Sequence, residues 1–123
     1  MSVSAGSEDL ARRIAAIADA KQADDIVALD VRELVSYTDF LVICTARNER
    51  LAKAIHDAVR EELKADGVLP ARVAGETGSN WLLMDYLDCV LHVLTAETRD
   101  HYRLEQLWGE AERLELEGVL GAA

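Results

Sequence analysis

The chain reads as one α/β domain in which helices pack on a β-sheet, and three observations lead there. Its 123 residues are enough for a single hydrophobic core and leave no comfortable room for a second. Half of them are hydrophobic and 29% are charged, the balance of an ordinary soluble globule. Helical and strand periodicities alternate in the order helix, strand, strand, helix, strand, strand, strand, helix, which helices layered on a sheet satisfy.

Residues 7–22 carry Leu10, Ile14, Ile17 and Ala18 on one helical face, with Ser7 placed to cap the first turn and Glu8 and Asp9 at the positive end of the dipole. "DIVALDV" (25–31) follows as a largely buried strand through Ile26, Val27, Leu29 and Val31. The turn-rich "RELVSYT" then leads into "DFLVICTA" (39–46), a continuous β-branched and aromatic run, and the two strands are expected to be neighbours. Asn48 can cap the next helix, where Leu51, Ile55, Ala58, Val59 and Leu63 recur at helical spacing until Gly67 stops it. Pro70 and Gly75 bracket a short strand near "ARVA", and Gly78, Ser79 and Asn80 form a turn. "WLLMDYLDCVLHVL" (81–94) supplies two further strands. Leu104, Leu107, Trp108, Ala111 and Leu114 then stripe a last helix beginning near Glu97. These boundaries divide the chain into an N-terminal tail (1–8), a domain (9–109) and a C-terminal helical extension and tail (110–123).

Charge narrows the partners. With 13 basic and 23 acidic residues the formal charge is −10, and no lysine–arginine cluster offers a phosphate-binding surface, so direct nucleic-acid binding is disfavoured. Such a surface draws cationic partners, basic proteins among them, at on-rates that fall with salt. Cys44 and Cys89 lie within apolar runs and form no CxxC pair, which fits buried reduced thiols rather than a zinc site or a disulfide. No run approaches the ~20 apolar residues that cross a bilayer, and "MSVSAGSEDLARR" has no apolar core of a secretory signal. A cytoplasmic protein without membrane contact is expected.

The run from 81 to 94 is apolar yet carries two aspartates and a histidine. If "DYLD" reverses the chain over a two-residue loop, Asp85 pairs with Asp88, Leu83 with Val90 and Trp81 with His92, all on one face, leaving Leu82, Met84, Cys89 and Leu91 on the core side. The polar groups are thereby segregated. An exposed tryptophan beside a histidine and two acids suits protein contact, whereas a Trp81 half-buried under a helix is the bland alternative. Asp85 facing Asp88 is a local conflict, since like charges across strands repel.

Enzymatic readings lack their parts. A Gly-Ser turn ahead of an aspartate in "GSNWLLMDY" loosely matches nucleotidyltransferases, but two acids converging on Mg²⁺ from one strand need alternate spacing, and positions 83 and 87 are both leucine. His56, on the polar side of its helix, His92 on a strand and His101 near the last helix form no ligand pair. Neither GxSxG, a Walker loop nor GxGxxG occurs. No catalytic residue, metal or cofactor is expected.

Five ordered segments, "ADDIVALDV" (23–31), "TDFLVICTA" (38–46), "NERLAKAI" (48–55), "WLLMDYLDCVLHVL" (81–94) and "RDHYRLEQLWG" (99–109), together resemble the ribosomal silencing factor, or Iojap, family. The resemblance implies a mixed β-sheet with flanking helices, of nucleotidyltransferase-like topology without the catalytic acids. It implies a non-enzyme, commonly homodimeric, that binds the large ribosomal subunit through its fourteenth protein and hinders joining of the small subunit. On the family's pattern, Trp81, Leu83, Asp85, Tyr86, Asp88 and His92 form the partner-binding patch, Tyr102 and Trp108 belong to the final motif, and Leu87 stands where the family usually has glycine. If position 87 needs positive φ, leucine there costs on the order of 1 kcal/mol. Two rival classes are a nucleotide-handling enzyme of the same fold and a homodimeric scaffold whose Trp81 patch meets its own copy.

Overall fold

A computed structural model describes residues 3–75, 80–102, 106 and 109–116. Helix α1 (Val3–Ala20) leads into strands β1 (Asp24–Asp30) and β2 (Phe40–Ala46), followed by helix α2 (Glu49–Ala65). Strands β3 (Arg72–Ala74), β4 (Trp81–Asp85) and β5 (Cys89–Thr95), helix α3 (Ala96–Tyr102) and strand β6 (Glu112–Arg113) complete the order. The expected order is thus recovered, with one strand added.

The six strands form one sheet in the order β3-β4-β5-β2-β1-β6. The β2–β5 pair is parallel and the others are antiparallel, so the sheet is mixed. β2 lies at its centre and is buried along its whole length, as a continuous apolar run predicts. Its alternate residues serve two cores. Phe40, Val42 and Cys44 join Ile14, Ile55, Val59, Met84, Cys89 and Leu91 in the cluster shared with α1 and α2. Leu41 and Ile43 point the other way and pack with Leu29, Val31, Val90 and Leu94. At ~25 cal/mol per Å² of apolar surface, each fully buried aliphatic side chain favours folding by about 1.5–3 kcal/mol, which makes β2 the densest contribution to stability.

Helix α2 begins and ends as its sequence dictates. The Asn48 side chain accepts the Leu51 N–H at 2.8 Å. At the other end Gly67, at φ 80°, lets its own N–H and that of Val68 reach the carbonyls of Lys64 and Leu63.

Three expectations are corrected. Ser7 does not cap α1: the helix starts at Val3, and Ser7 is buried within it, donating from Oγ to Asp39 Oδ2 at 2.6 Å. His56 is buried beside Ile55 rather than on the polar side, because α2 buries 52, 55, 56, 59 and 63 as one stripe. Ala111 and Leu114 flank strand β6 instead of extending a helix; a turn at Gly109 and Glu110 precedes it, and Arg113 and Glu112 pair with Leu29 and Asp30. Leu104, Leu107 and Trp108 lie outside the described residues.

Candidate functional site

The β4–β5 hairpin positions the site, and its register differs from the expected one. Asp85 pairs with Val90, Leu83 with His92 and Trp81 with Leu94. Tyr86 donates its N–H to the Cys89 carbonyl at 2.9 Å, so the two-residue loop is Leu87–Asp88 rather than Tyr86–Leu87. A slip of one residue at the loop moves each pairing by two, an even number. Trp81, Leu83, Asp85 and His92 therefore still share a face, and Leu82, Met84, Cys89 and Leu91 still fill the main core. Tyr86 separates from the others: it is buried on the core side, with its hydroxyl 3.6 Å from Met84 Sδ. The conflict between Asp85 and Asp88 also disappears, since the two do not pair.

Asp85 is occupied at both ends. Its Oδ1 accepts the Leu87 N–H at 2.8 Å, closing the tip, and its Oδ2 lies 3.8 Å from the Arg72 guanidinium on β3. Leu87 takes φ 72°, the left-handed region that the sequence made conditional. Asp88 is exposed at the tip, and its carbonyl receives the N–H groups of Asp39 and Phe40 at 3.2 Å, fastening the hairpin to the start of β2.

Ladder register extends the face across the sheet. One row runs Ala74, Leu83, His92, Ile43, Val27, and the next runs Arg72, Asp85, Val90, Leu41, Leu29. Tyr37, Arg72, Leu83, Asp85, Val90 and His92 line a groove of about 380 Å³ at its β3 side. Tyr37 reaches it from the turn before β2 and is 59% exposed. Val90 was placed on this face from the sequence, though opposite Leu83 rather than Asp85. Tyr37 and Arg72 were missed by sequence reasoning; only Arg72 had a usable signal, alternation along β3, and that needed the register first.

Trp81 and His92 act as a unit. The indole Nε1–H donates to His92 Nδ1 at 3.0 Å, with ring centroids 5.9 Å apart. The bond requires Nδ1 to be unprotonated, so neutral His92 carries its hydrogen on Nε2. Burial pushes its pKa down to about 4, in keeping with that state. Trp81 is half-buried, with its polar edge already engaged.

Among the described residues no group of three or more histidine, cysteine, aspartate or glutamate side chains could hold a metal ion. Burial raises the Cys44 thiol to about 12 and pushes Cys89 higher still, so neither offers a thiolate at neutral pH. Asp85 is committed to the turn, and His92 to Trp81. No helix among the described residues is long and apolar enough to cross a membrane.

Comparison with known proteins decides the family. The family model described as "Ribosomal silencing factor during starvation" matches residues 4–122. The chain belongs to the ribosomal silencing factor family. It is 35% identical over 102 residues to the ribosomal silencing factor of Halalkalibacterium halodurans, covering 83% of this chain and 87% of that one. A crystal structure of a Chromobacterium violaceum protein superposes with a TM-score of 0.78 at 30% identity, covering 89% of this chain and 88% of that one. A mouse protein named for mitochondrial assembly of the ribosomal large subunit is 32% identical over 91 residues, 72% of this chain and 40% of its own length. The family match thus runs through β6, past the last of the five segments that carried the resemblance.

Proposed function

We propose that this ribosomal silencing factor is a non-enzymatic repressor of translation that binds the large ribosomal subunit through its fourteenth protein and blocks joining of the small subunit. The observation that carries the reading is the outer face of the β4–β5 hairpin, where a groove lined by Leu83, Val90, Tyr37, His92, Asp85 and Arg72 lies on a hairpin whose tip carries the exposed Asp88, on a chain of net charge −10. A basic protein surface complements it, apolar contact supplying affinity and the acids supplying orientation and on-rate. Family membership and the large-subunit name of the mouse relative support the choice of subunit. Trp81, Leu83, Asp85, Asp88 and His92 are assigned to the patch; Tyr86 contributes by packing behind it.

Repression by this route is steric. The docked domain occupies space that the small subunit needs, and no bond is made or broken. The protein acts in the cytoplasm, and the free form is a homodimer, which light scattering tests. Sedimentation of the protein with purified subunits through sucrose gradients tests the main reading. It should travel with large subunits and not with small ones; equal distribution, or absence from both, contradicts it.

A further inference from the structure

Leu87 combines two features that oppose each other. Its backbone sits at φ 72°, where an L-residue with a Cβ is strained by roughly 1–2 kcal/mol relative to glycine. Strain of that kind persists only where the surrounding structure holds it, and packing of the side chain does not supply that hold, since Leu87 is 61% exposed. The tip is nevertheless built to hold the conformation: Asp85 Oδ1 accepts the Leu87 N–H at 2.8 Å, and the Asp88 carbonyl receives the N–H groups of Asp39 and Phe40. A rigid support for an unburied leucine is the arrangement of a side chain held out for contact.

We infer that Leu87 is an apolar anchor that enters a hydrophobic cleft, rimmed by lysine or arginine, on the basic protein of the large subunit that the hairpin face meets. The inference rests on the proposed function and adds a residue and a recognition chemistry to it. Charge defines the occupant: Asp88, beside the leucine, is exposed at the tip, and the net charge of −10 favours a basic surface over a second copy of this chain. Presenting the anchor on a fixed backbone also lowers the ordering cost of binding.

The test compares the full-length parent protein with Leu87→Gly and Leu87→Met in binding to purified large subunits, alongside thermal unfolding of each. Glycine removes the side chain and relieves the strain, so its melting temperature should equal or exceed the parent's while its affinity falls about tenfold or more. Methionine keeps an unbranched apolar tip and should bind within about threefold of the parent. A glycine variant that binds as tightly as the parent overturns the anchor and leaves the proposed function standing. So does one that loses melting temperature together with affinity, since the side chain then serves the fold. Loss of self-association in light scattering without loss of subunit binding assigns Leu87 to a second copy and also overturns it. A parent protein that binds no large subunit removes the proposed function and the anchor together.

Discussion

His92 shows how a single side chain ties this face to pH. Its pKa is lowered by burial to about 4, so the unfolded chain binds the proton more readily than the folded one between about pH 6.5 and 4. Stability from this group is therefore complete above that window and declines as pH falls through it. His92→Gln, which retains an acceptor for the Trp81 indole, should flatten the slope of denaturation midpoint against pH in that range; an unchanged slope would assign the pH dependence elsewhere. Asp85 carries a different lesson. Because its Oδ1 holds the Leu87 N–H, Asp85→Ala should destabilise the protein by about 1 kcal/mol, whereas Asp85→Asn, which can keep the bond, should cost less. Chemical denaturation of the two variants decides between them. Charge reversal at Asp85 would mix folding with binding, so Asp88, exposed at the tip, is the cleaner site. Asp88→Lys should leave the unfolding midpoint within about 0.5 kcal/mol of the parent and slow association with large subunits, the difference shrinking as salt is raised. Equal association rates at low salt would remove Asp88 from the proposed interface.

Elements were legible where local chemistry dictates them and obscure where distant contacts do. α2 was read from Asn48 to Gly67 because both ends are set by groups within a few residues of the backbone they satisfy. β2 announced itself as an unbroken apolar run, and the two faces of β4 and β5 survived a wrong loop because a slip of two preserves parity. Ser7 misled because its partner, Asp39, is 32 residues away, and nothing local marks that contact. His56 was legible and overlooked: it continues the spacing of Ala52, Val59 and Leu63. The stripe through Ala111 and Leu114 suggested a helix, whereas Gly109 was the stop signal and pairing with β1 the competing force. Of the candidate site, Trp81, Leu83, Asp85, Val90 and His92 were placed on one face from the sequence and share it in the structure, while Tyr37 and Arg72 entered only through tertiary register. The β3 edge depends on Gly75, at φ 94°, where a Cβ would stand 2.6 Å from the Trp81 carbonyl oxygen. Gly75→Ala should therefore destabilise by about 2 kcal/mol or more, since both the conformation and the backbone contact forbid it. A calorimetric scan indistinguishable from the parent's would show that this edge can move aside.

At the scale of the whole molecule, one mixed sheet is covered by α1 and α2 on one face and carries on the other a second buried cluster, with a groove of mixed polar and apolar lining at its β3 side. The residues that hold α1 and α2 on the sheet are distinct from those that line the groove, although Val90 and Leu83 belong both to the groove and to the second cluster. In the proposed function repression follows from occupancy alone, and its most direct test is competition. Purified large subunits are saturated with the protein, small subunits are added, and formation of joined ribosomes is followed by sedimentation. Joined ribosomes should diminish in proportion to the large subunits occupied. Undiminished joining, with the protein still bound to the large subunit in the joined particle, would contradict it.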